Sequence, residues 1–280
     1  MSQPGPEAEA ESDLTTGAAD ALWGRILLGT EPRFRRTRKL MKHLPSPPRC
    51  QLCAAPFAGL FGPVMRQAGH RRWSGNPKYC AACFGLLEAV RGGAEIDCTL
   101  LFADVRGSTT LAEGMSPAAF RRLMDRFYRV STDVLVEQDG IIDKFVGDEV
   151  VAIFIPALAH DAHASRAVAA ATALLRATGH ADTAGPWLPV GAGIATGVAY
   201  VGSVGGGDHV EFTALGDIVN TAARLASAAG PGEVLLTRAA ATRADLPVDG
   251  LARRTLELKG KAEPVEATVL SARSDPPWGA

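Results

Sequence analysis

The hydrophobic positions fall into short apolar runs that suit strands and longer runs with helical spacing. Leu100 to Ala103 is an apolar run that predicts a buried strand ending at Asp104. The dipeptide Gly147-Asp148 separates two runs rich in β-forming residues, which predicts a hairpin. An alanine-rich stretch from about Ala159 to Thr178 predicts a long helix. From Ile96 onward the predicted order is strand, helix, hairpin, helix, strand pair, helix and short closing strands.

This order of elements predicts an α+β fold, a ferredoxin-like sandwich whose helices cover an antiparallel-rich sheet. One uncharged stretch, Val190 to Gly207, reaches the length of a membrane span. Its seven glycines instead favour two short strands. In the strand Ile141 to Val146, regular alternation places Lys144 on the same face as Ile142.

The chain before Ile96 has a different pattern. Residues Met1 to Asp20 are acidic and poor in large apolar side chains, which predicts a disordered tail. Residues 21–48 form a basic segment expected to be helical, in which Arg33 to Lys42 carries six cations. A solvated helix face explains these charges better than an acidic partner, a membrane surface or nucleic acid.

Composition and charge fit a chain with one large and one small domain. The 280 residues are 47% hydrophobic and carry a net charge of -1. We assign residues 96–272 to the large domain, 49–95 to the small one and 273–280 to a tail. The balanced charge gives no cue for nucleic acid. The polar, acidic start lacks the basic and apolar regions of a signal peptide, so a cytoplasmic location is expected.

Four of the five cysteines form two Cys-x-x-Cys pairs in the small domain, Cys50 with Cys53 and Cys80 with Cys83. Two such pairs predict a tetrahedral Cys₄ zinc site, which allows a segment too small for a good core to fold. The 26 residues between the pairs exceed the roughly 15 to 20 that are usual for such sites. An iron–sulfur cluster and redox disulfides are the alternatives. Disulfides are disfavoured in a reducing cytosol.

The end of the first predicted strand combines residues suited to metal and to phosphate. Asp104 at the strand end and Asp148 in the hairpin turn are fixed carboxylates, which suit Mg²⁺ or Mn²⁺. Gly107, Ser108 and Thr109 open the following helix, whose free backbone N–H groups suit phosphate oxygens. Either aspartate alone would more often be a helix cap or a solvated side chain.

A third group of polar residues lies on a predicted helix near the C-terminus. Asn220 and Arg224 are four residues apart, so both project from one helix face. Asp217 is a candidate cap for the start of this helix, and Gly230 with Pro231 a candidate stop.

These residues lie in five sequence blocks that resemble the catalytic domain of class III nucleotidyl cyclases, the adenylate and guanylate cyclases. The resemblance runs from about Ile96 to Leu270, in the order that the family shows. The blocks are "FADVRGST", "DKFVGDEVVAIF", "VGAGIATGVAYVGSVG", "FTALGDIVNTAARL" and "LKGKAEPVEATVL".

The resemblance implies a role for each matching residue. Asp104 and Asp148 match the two metal-binding aspartates, which hold two Mg²⁺ or Mn²⁺ ions per active site. Asn220 and Arg224 match the pair that orients the ribose and stabilises the transition state. Lys259 and Lys261 match the segment that contacts the triphosphate, and the sequence does not show which of the two reaches it.

Two further positions match the residues that read the base, Lys144 and Thr213. Threonine at the second of them is similar to the subclass designated IIIb, and guanylate cyclases carry Glu and Cys at these positions. Lysine offers only donors to adenine N1, and a threonine hydroxyl can accept from the exocyclic amine. The pair therefore indicates ATP as the substrate.

The resemblance further implies a head-to-tail homodimer, with metals from one subunit and the other four residues from its partner. The expected reaction is attack of the ribose 3′-OH on the α-phosphorus of ATP, giving 3′,5′-cyclic AMP and pyrophosphate. The alternative is a catalytically silent, nucleotide-binding regulatory module with a zinc-dependent partner surface. The complete set of six residues favours activity, because a silent descendant is expected to have lost at least one.

Overall fold

A computed structural model describes residues 6–44, 48–50, 52–72, 79–83, 91–206, 209–257 and 263–272. These residues divide into two compact units. The first unit comprises Met1–Ile96 and Tyr200–Ala214, and the second comprises Asp97–Ala199 and Leu215–Ala280. No helix in the described ranges is long and apolar enough to cross a membrane.

The second unit contains most strands of a large mixed sheet. The strands are β1 (Gly93–Val105), β2 (Ile141–Val146), β3 (Glu149–Phe154), β4 (Val190–Gly206), β5 (His209–Leu215), β6 (Glu233–Thr237), β7 (Ala252–Leu256) and β8 (Val265–Ser271). Their order is β2-β3-β1-β4-β6-β8-β7, and β5 pairs with β4. The pairs β1/β3, β2/β3, β6/β8 and β7/β8 are antiparallel, and β4/β6 is parallel. The predicted α+β class with a mostly antiparallel sheet is confirmed.

Helices cover both faces of this sheet. The helices whose bounds lie within the described residues are α1 (Pro6–Leu27), α2 (Pro32–Lys42), α3 (Gly62–Gln67), α4 (Ser108–Glu113), α5 (Pro117–Glu137), α6 (Pro156–Ala159), α7 (His163–Ala177), α8 (Asp217–Ala228) and α9 (Arg238–Arg243). Buried residues of α5, α7 and α9 share one core with Val234 and Leu236 of β6. The intervening Leu235 packs with Leu225 of α8. Since neighbouring residues of a strand face opposite ways, α8 covers the second face of the sheet.

Strand β2 has the predicted bounds but not the predicted alternation. A register shift between Ile142 and Lys144 places one extra residue, Asp143, in the strand. Ile142 pairs with Ala152 and Lys144 with the neighbouring Val151, so these two side chains point to opposite faces. The predicted shared face of Ile142 and Lys144 is therefore wrong, because a β-bulge resets the two-residue period.

Strand β4 is also longer than predicted. It runs unbroken over Val190–Gly206, where the glycines favoured two short strands. The glycines serve close packing instead of breaking the strand. A Cβ on Gly193 would lie 2.2 Å from the backbone nitrogen of Ala226 and 2.3 Å from the carbonyl oxygen of Ala222. Only glycine lets α8 approach the sheet this closely.

The first unit contains helices α1 to α3, the cysteine pairs, the start of β1, and the distal part of β4 with most of β5. Helix α1 covers most of the segment for which disorder was predicted, and it continues past Asp20 to Leu27. Its C-terminal half is anchored because Trp23, Ile26 and Leu27 are buried. The prediction of disorder rests on the acidic composition of residues 1–20, and this group of apolar residues begins just after that segment.

Candidate active site and candidate metal centre

The two predicted metal ligands meet where β1 ends beside the β2–β3 turn. Asp104 is the penultimate residue of β1, and it pairs across the strands with Glu149, the first residue of β3. The Val105 amide donates to the Asp148 carbonyl oxygen at 3.2 Å. The Tyr128 hydroxyl donates to the Gly147 carbonyl oxygen and so braces the turn from α5. These hydrogen bonds therefore fix the backbone segments that carry both carboxylates at one edge of the sheet.

Burial and neighbouring carboxylates raise the pKa values of Asp104 and Glu149 at this edge. Burial raises the pKa of Asp104 to about 6, the charge of Asp148 and a hydrogen bond with it add to the rise, and Arg106 opposes it. Burial also raises the pKa of Glu149 to about 7, with Asp104 and Asp148 as further causes. A partly buried group of three acidic side chains disfavours its own full ionisation. A bound divalent cation would relieve that repulsion, so this donor set suits Mg²⁺ or Mn²⁺.

Arg106 and Glu149 are site residues that the sequence reasoning missed. The Arg106 guanidinium forms an ion pair with the Asp104 carboxylate and donates to the Ser227 carbonyl oxygen at 2.9 Å. Arg106 therefore links the edge that carries Asp104 to the C-terminal end of α8. For Glu149, the signal was present in its position next to Asp148 at the first pair of the hairpin. For Arg106, the contact with Ser227 joins residues 121 apart in sequence, which no local pattern indicates.

The segment predicted to bind phosphate, Gly107 to Thr109, comes shortly after β1 in the sequence. Gly107 has a φ of 70°, in the left-handed region that favours glycine, and α4 begins at Ser108. No side chain caps the N-terminus of this short helix. Its first backbone N–H groups, including those of Ser108 and Thr109, thus have no intrahelical partner.

Asn220 and Arg224 lie one helical turn apart on α8, as predicted. Asn220 is exposed and Arg224 is half-buried. Asp217 is the first helical residue and does not cap the helix, because Gly216, at a φ of 143°, occupies the N-cap position. The helix ends at Ala228, two residues before Gly230.

The other residues predicted to bind substrate lie in different units or outside the described residues. Lys144 lies in β2 of the second unit, and its ammonium group is 3.8 Å from the carboxylate of Asp143. Thr213 lies in β5 of the first unit and is buried. Lys259 and Lys261 lie outside the described residues. The structure thus brings Asp104 and Asp148 together and leaves the base-reading pair as a prediction.

The four predicted cysteine ligands form one cluster in the first unit. The sulfur atoms of Cys50, Cys53, Cys80 and Cys83 all lie within 4.8 Å of one another. All four are buried, and none forms a disulfide. The Cys80 amide donates to the Cys50 sulfur at 3.3 Å, and the Cys83 amide to the Cys80 sulfur at 3.4 Å. Such backbone donors stabilise thiolates, so the cluster can hold a metal ion.

His70 is a residue of this centre that the cysteine spacing did not predict. Its Nδ1 atom lies 3.2 Å from the sulfur of Cys80 and 3.7 Å from that of Cys53. Hydrogen bonds from the other cysteines, Cys50 first, and from His70 lower the pKa of Cys80. His70 is held in place because its amide donates to the Met65 carbonyl oxygen at the end of α3.

Comparisons with known proteins assign most of this chain to a family. The model of the adenylate and guanylate cyclase catalytic domain matches residues 93–271. Adenylate cyclase 1 of Rhizobium meliloti is 36% identical over 132 residues, which is 45% of this chain and 20% of that protein. An uncharacterised protein of Mycobacterium tuberculosis is 32% identical over 183 residues, 62% of this chain and 32% of that protein. The chain thus spans a fifth to a third of the length of these curated relatives.

Solved structures give the same result. The guanylyl cyclase Cya2 is 27% identical with a TM-score of 0.58, over 64% of this chain and 93% of that one. The adenylyl cyclase CyaB from P. aeruginosa is 28% identical with a TM-score of 0.53, over 65% and 98%. The family match covers more than half of the chain and includes both strand ends that carry the paired aspartates. The chain therefore belongs to the class III adenylate and guanylate cyclases, of which it contains the catalytic domain.

Proposed function

We propose that this cyclase domain is an adenylate cyclase that converts ATP to 3′,5′-cyclic AMP and pyrophosphate. The observation that carries the proposal is the pair Asp104 and Asp148, held on one backbone-braced edge in a chain of this family. The two carboxylates would hold Mg²⁺ or Mn²⁺. When bound there, the cation lowers the pKa of the ribose 3′-OH and neutralises charge on the triphosphate.

The residues of the chain supply positioning and charge for an in-line displacement. The 3′-oxygen forms a bond to the α-phosphorus, the bond from that phosphorus to the pyrophosphate oxygen breaks, and the 3′-OH proton passes to solvent or to Asp104. Arg224 neutralises the charge that develops on the phosphorus, and Asn220 holds the ribose. Gly107, Ser108 and Thr109 offer backbone donors to the phosphates. Positioning and electrostatics of this kind provide most of the rate in phosphoryl transfer.

The choice of ATP rests on Lys144 and Thr213. A lysine that donates to adenine N1 and a hydroxyl that accepts from the exocyclic amine match adenine, whereas guanine presents the reverse pattern. A mismatch would leave buried polar groups unpaired, at a cost of about 1–3 kcal/mol per group. The named adenylate cyclases among the relatives support this choice, although the neighbouring Cya2 is a guanylyl cyclase.

Two complete sites would form in a head-to-tail homodimer, in which one subunit provides the metal-binding edge and its partner provides α8 and the base-reading residues. All six of these residues occur in the one chain, which supports a symmetric dimer. The proposed dimer would make each subunit inactive alone.

For the cysteine centre we propose one zinc ion per chain. Four buried thiols in a closed set fill a tetrahedral shell and leave no open position for chemistry. The role of this zinc would therefore be structural or regulatory. Metal analysis of protein purified without oxygen tests this, since iron with acid-labile sulfide would show a cluster in place of zinc.

The adenylate cyclase activity is tested by incubating the purified full chain with ATP or GTP in the presence of Mg²⁺ or Mn²⁺. We expect cyclic AMP as the main product. As a test of base reading, Lys144→Glu combined with Thr213→Cys should lower the ratio of kcat/KM for ATP over GTP. No cyclic product under any of these conditions would support the silent regulatory module instead.

A further inference from the structure

Helix α1 packs against β5, the strand that carries Thr213. The Trp23 side chain is only 1% exposed, and its ring stacks on that of Phe212 in β5. The two ring centroids are 6.1 Å apart, and the ring planes meet at 22°. This distance and angle lie within the range of favourable offset aromatic pairs. The N-terminal helix therefore contacts the residue that directly precedes Thr213.

The same helix is fixed to the start of β1. The Gly93 amide donates to the Asp20 carboxylate at 3.2 Å. A Cβ added to Gly92 would lie 2.9 Å from that carboxylate and 3.1 Å from the Trp23 ring, so the helix and strand leave no room between them. The Gly92 carbonyl oxygen accepts from the Ser203 amide of β4 at 2.8 Å. Helix α1, the start of β1, the distal part of β4 and most of β5 therefore pack together inside the first unit.

The geometry of β5 determines what this packing does to Thr213. Neighbouring side chains of a strand point to opposite faces, so Phe212 faces α1 and Thr213 faces away from it. Trp23 thus supports the strand from behind, on the side opposite the threonine hydroxyl. Thr213 is 7% exposed, so a small tilt of the strand would move its hydroxyl within a confined space.

We propose that Trp23 is a positioning residue that acts through Phe212 to fix the orientation of Thr213, so that the N-terminal helix sets the nucleotide preference of the enzyme. This inference rests on the proposed role of Thr213 in reading the base. A hydrogen bond weakens steeply when its angle departs from linear, so loss of the support would reduce base discrimination. It would leave the residues that carry out the displacement in place.

The test compares Trp23→Ala with Trp23→Phe in the full chain, with Ile26→Ala as a matched control. Ile26 is buried on the same helix, at 6% exposure, so its truncation reports a general loss of packing. Trp23→Ala should lower the ATP over GTP ratio of kcat/KM by about tenfold, the effect of weakening one base hydrogen bond. Trp23→Phe should restore most of the ratio because it keeps an aromatic contact. Ile26→Ala should lower the Tm but leave the ratio unchanged.

Thr213→Ala, measured in parallel, separates the inference from the proposed function. If Thr213→Ala lowers the ratio and Trp23→Ala does not, the positioning role is wrong while base reading by Thr213 stands. If Thr213→Ala leaves the ratio unchanged, the base-reading assignment itself is overturned. Equal shifts in Trp23→Ala and Ile26→Ala would also contradict a specific role for the ring. Should Trp23→Ala not fold, Phe212→Leu removes the ring contact from the other side and gives the same comparison.

Discussion

The two candidate metal sites of this chain differ in ligand chemistry and in access to solvent. The carboxylate site at Asp104 is open, since that side chain is 21% exposed and lies beside a turn. The four thiols of the cysteine centre are between 0% and 4% exposed. Oxygen ligands on an open edge suit a cation that keeps positions free for phosphates. Buried thiolates suit a cation that fills its shell with protein.

We infer from this difference that the carboxylate site serves activity and the cysteine centre serves stability. At the open site, burial and the neighbouring acids raise the pKa values of Asp104 and Glu149, and a bound cation would favour their ionised forms. At the closed site, backbone amides donate to the sulfur atoms of Cys50 and Cys80, and His70 Nδ1 lies 3.2 Å from the sulfur of Cys80. We therefore expect changes at the first site to remove activity at constant stability, and changes at the second to do the reverse.

The largest expected effect is that of Asp104→Ala, which removes a metal ligand. Activity should fall by roughly 10³-fold or more, because the cation supplies several kcal/mol of transition-state stabilisation. The control is Asp97→Ala on the same strand, whose carboxylate pairs with Arg243. This control should retain near wild-type turnover. Thermal unfolding of both variants checks the fold, and full activity in Asp104→Ala would remove the two-metal assignment.

Subunit complementation tests whether the open site is shared. Asp104→Ala and Arg224→Ala should each be inactive, whereas a mixed dimer contains one intact site. Random mixing of a symmetric dimer would then restore about a quarter of the wild-type activity. The measurement is cyclic AMP formation after co-expression of differently tagged variants. Failure to recover activity in isolated mixed dimers would show that the sites are not composed head to tail.

At the closed site, Cys50→Ser should remove zinc and unfold the small domain while reducing cyclase activity only in part. Metal binding and folding are coupled in such small centres, so the thiolate set is needed for both. Cys98→Ser is the matched control, because Cys98 is buried and free but lies outside the cluster. Zinc content by mass spectrometry should be one per chain in the control and near zero in Cys50→Ser. Retention of zinc in Cys50→Ser would exclude Cys50 as a ligand.

The smallest expected effect is a shift in pH dependence. The pKa of Asp104 is raised to about 6, so the carboxyl is protonated below that pH and cannot bind a cation. Apparent Mg²⁺ affinity should therefore increase as the pH rises through 6. Arg106 lowers this pKa, so Arg106→Ala should move the profile to higher pH, and Arg106→Lys should move it less. A profile unaffected by Arg106→Ala would contradict the electrostatic link.

Much of the fold could be predicted from local patterns, and the misses have physical causes. The bounds of β2 and the Gly147-Asp148 turn follow from β-forming residues and turn chemistry, and both are confirmed. The bulge at Asp143 has no sequence signal, because it depends on pairing with β3. The continuity of β4 depends on α8 packing against Gly193, which is a tertiary effect.

The candidate sites show the same division. The cysteine cluster is predicted from two Cys-x-x-Cys pairs, and Asp104 and Asp148 from a strand end, a hairpin turn and the family blocks; the structure brings each set together. Arg106 and His70 reach these sites from residues that share no motif with them. Trp23 is a similar case, because its contact with Phe212 joins distant parts of the sequence. Supporting residues of this kind are defined by packing and become visible only in the folded chain.

We propose that this chain makes cyclic AMP from ATP with the metal ions that Asp104 and Asp148 would hold. The most direct measurement offers the purified full chain an equimolar mixture of ATP and GTP with Mg²⁺ and identifies the cyclic products by chromatography, with Asp104→Ala as the blank. Cyclic AMP in large excess, absent from the blank, is the predicted result. Cyclic GMP as the main product, or equal product from Asp104→Ala, would contradict the account.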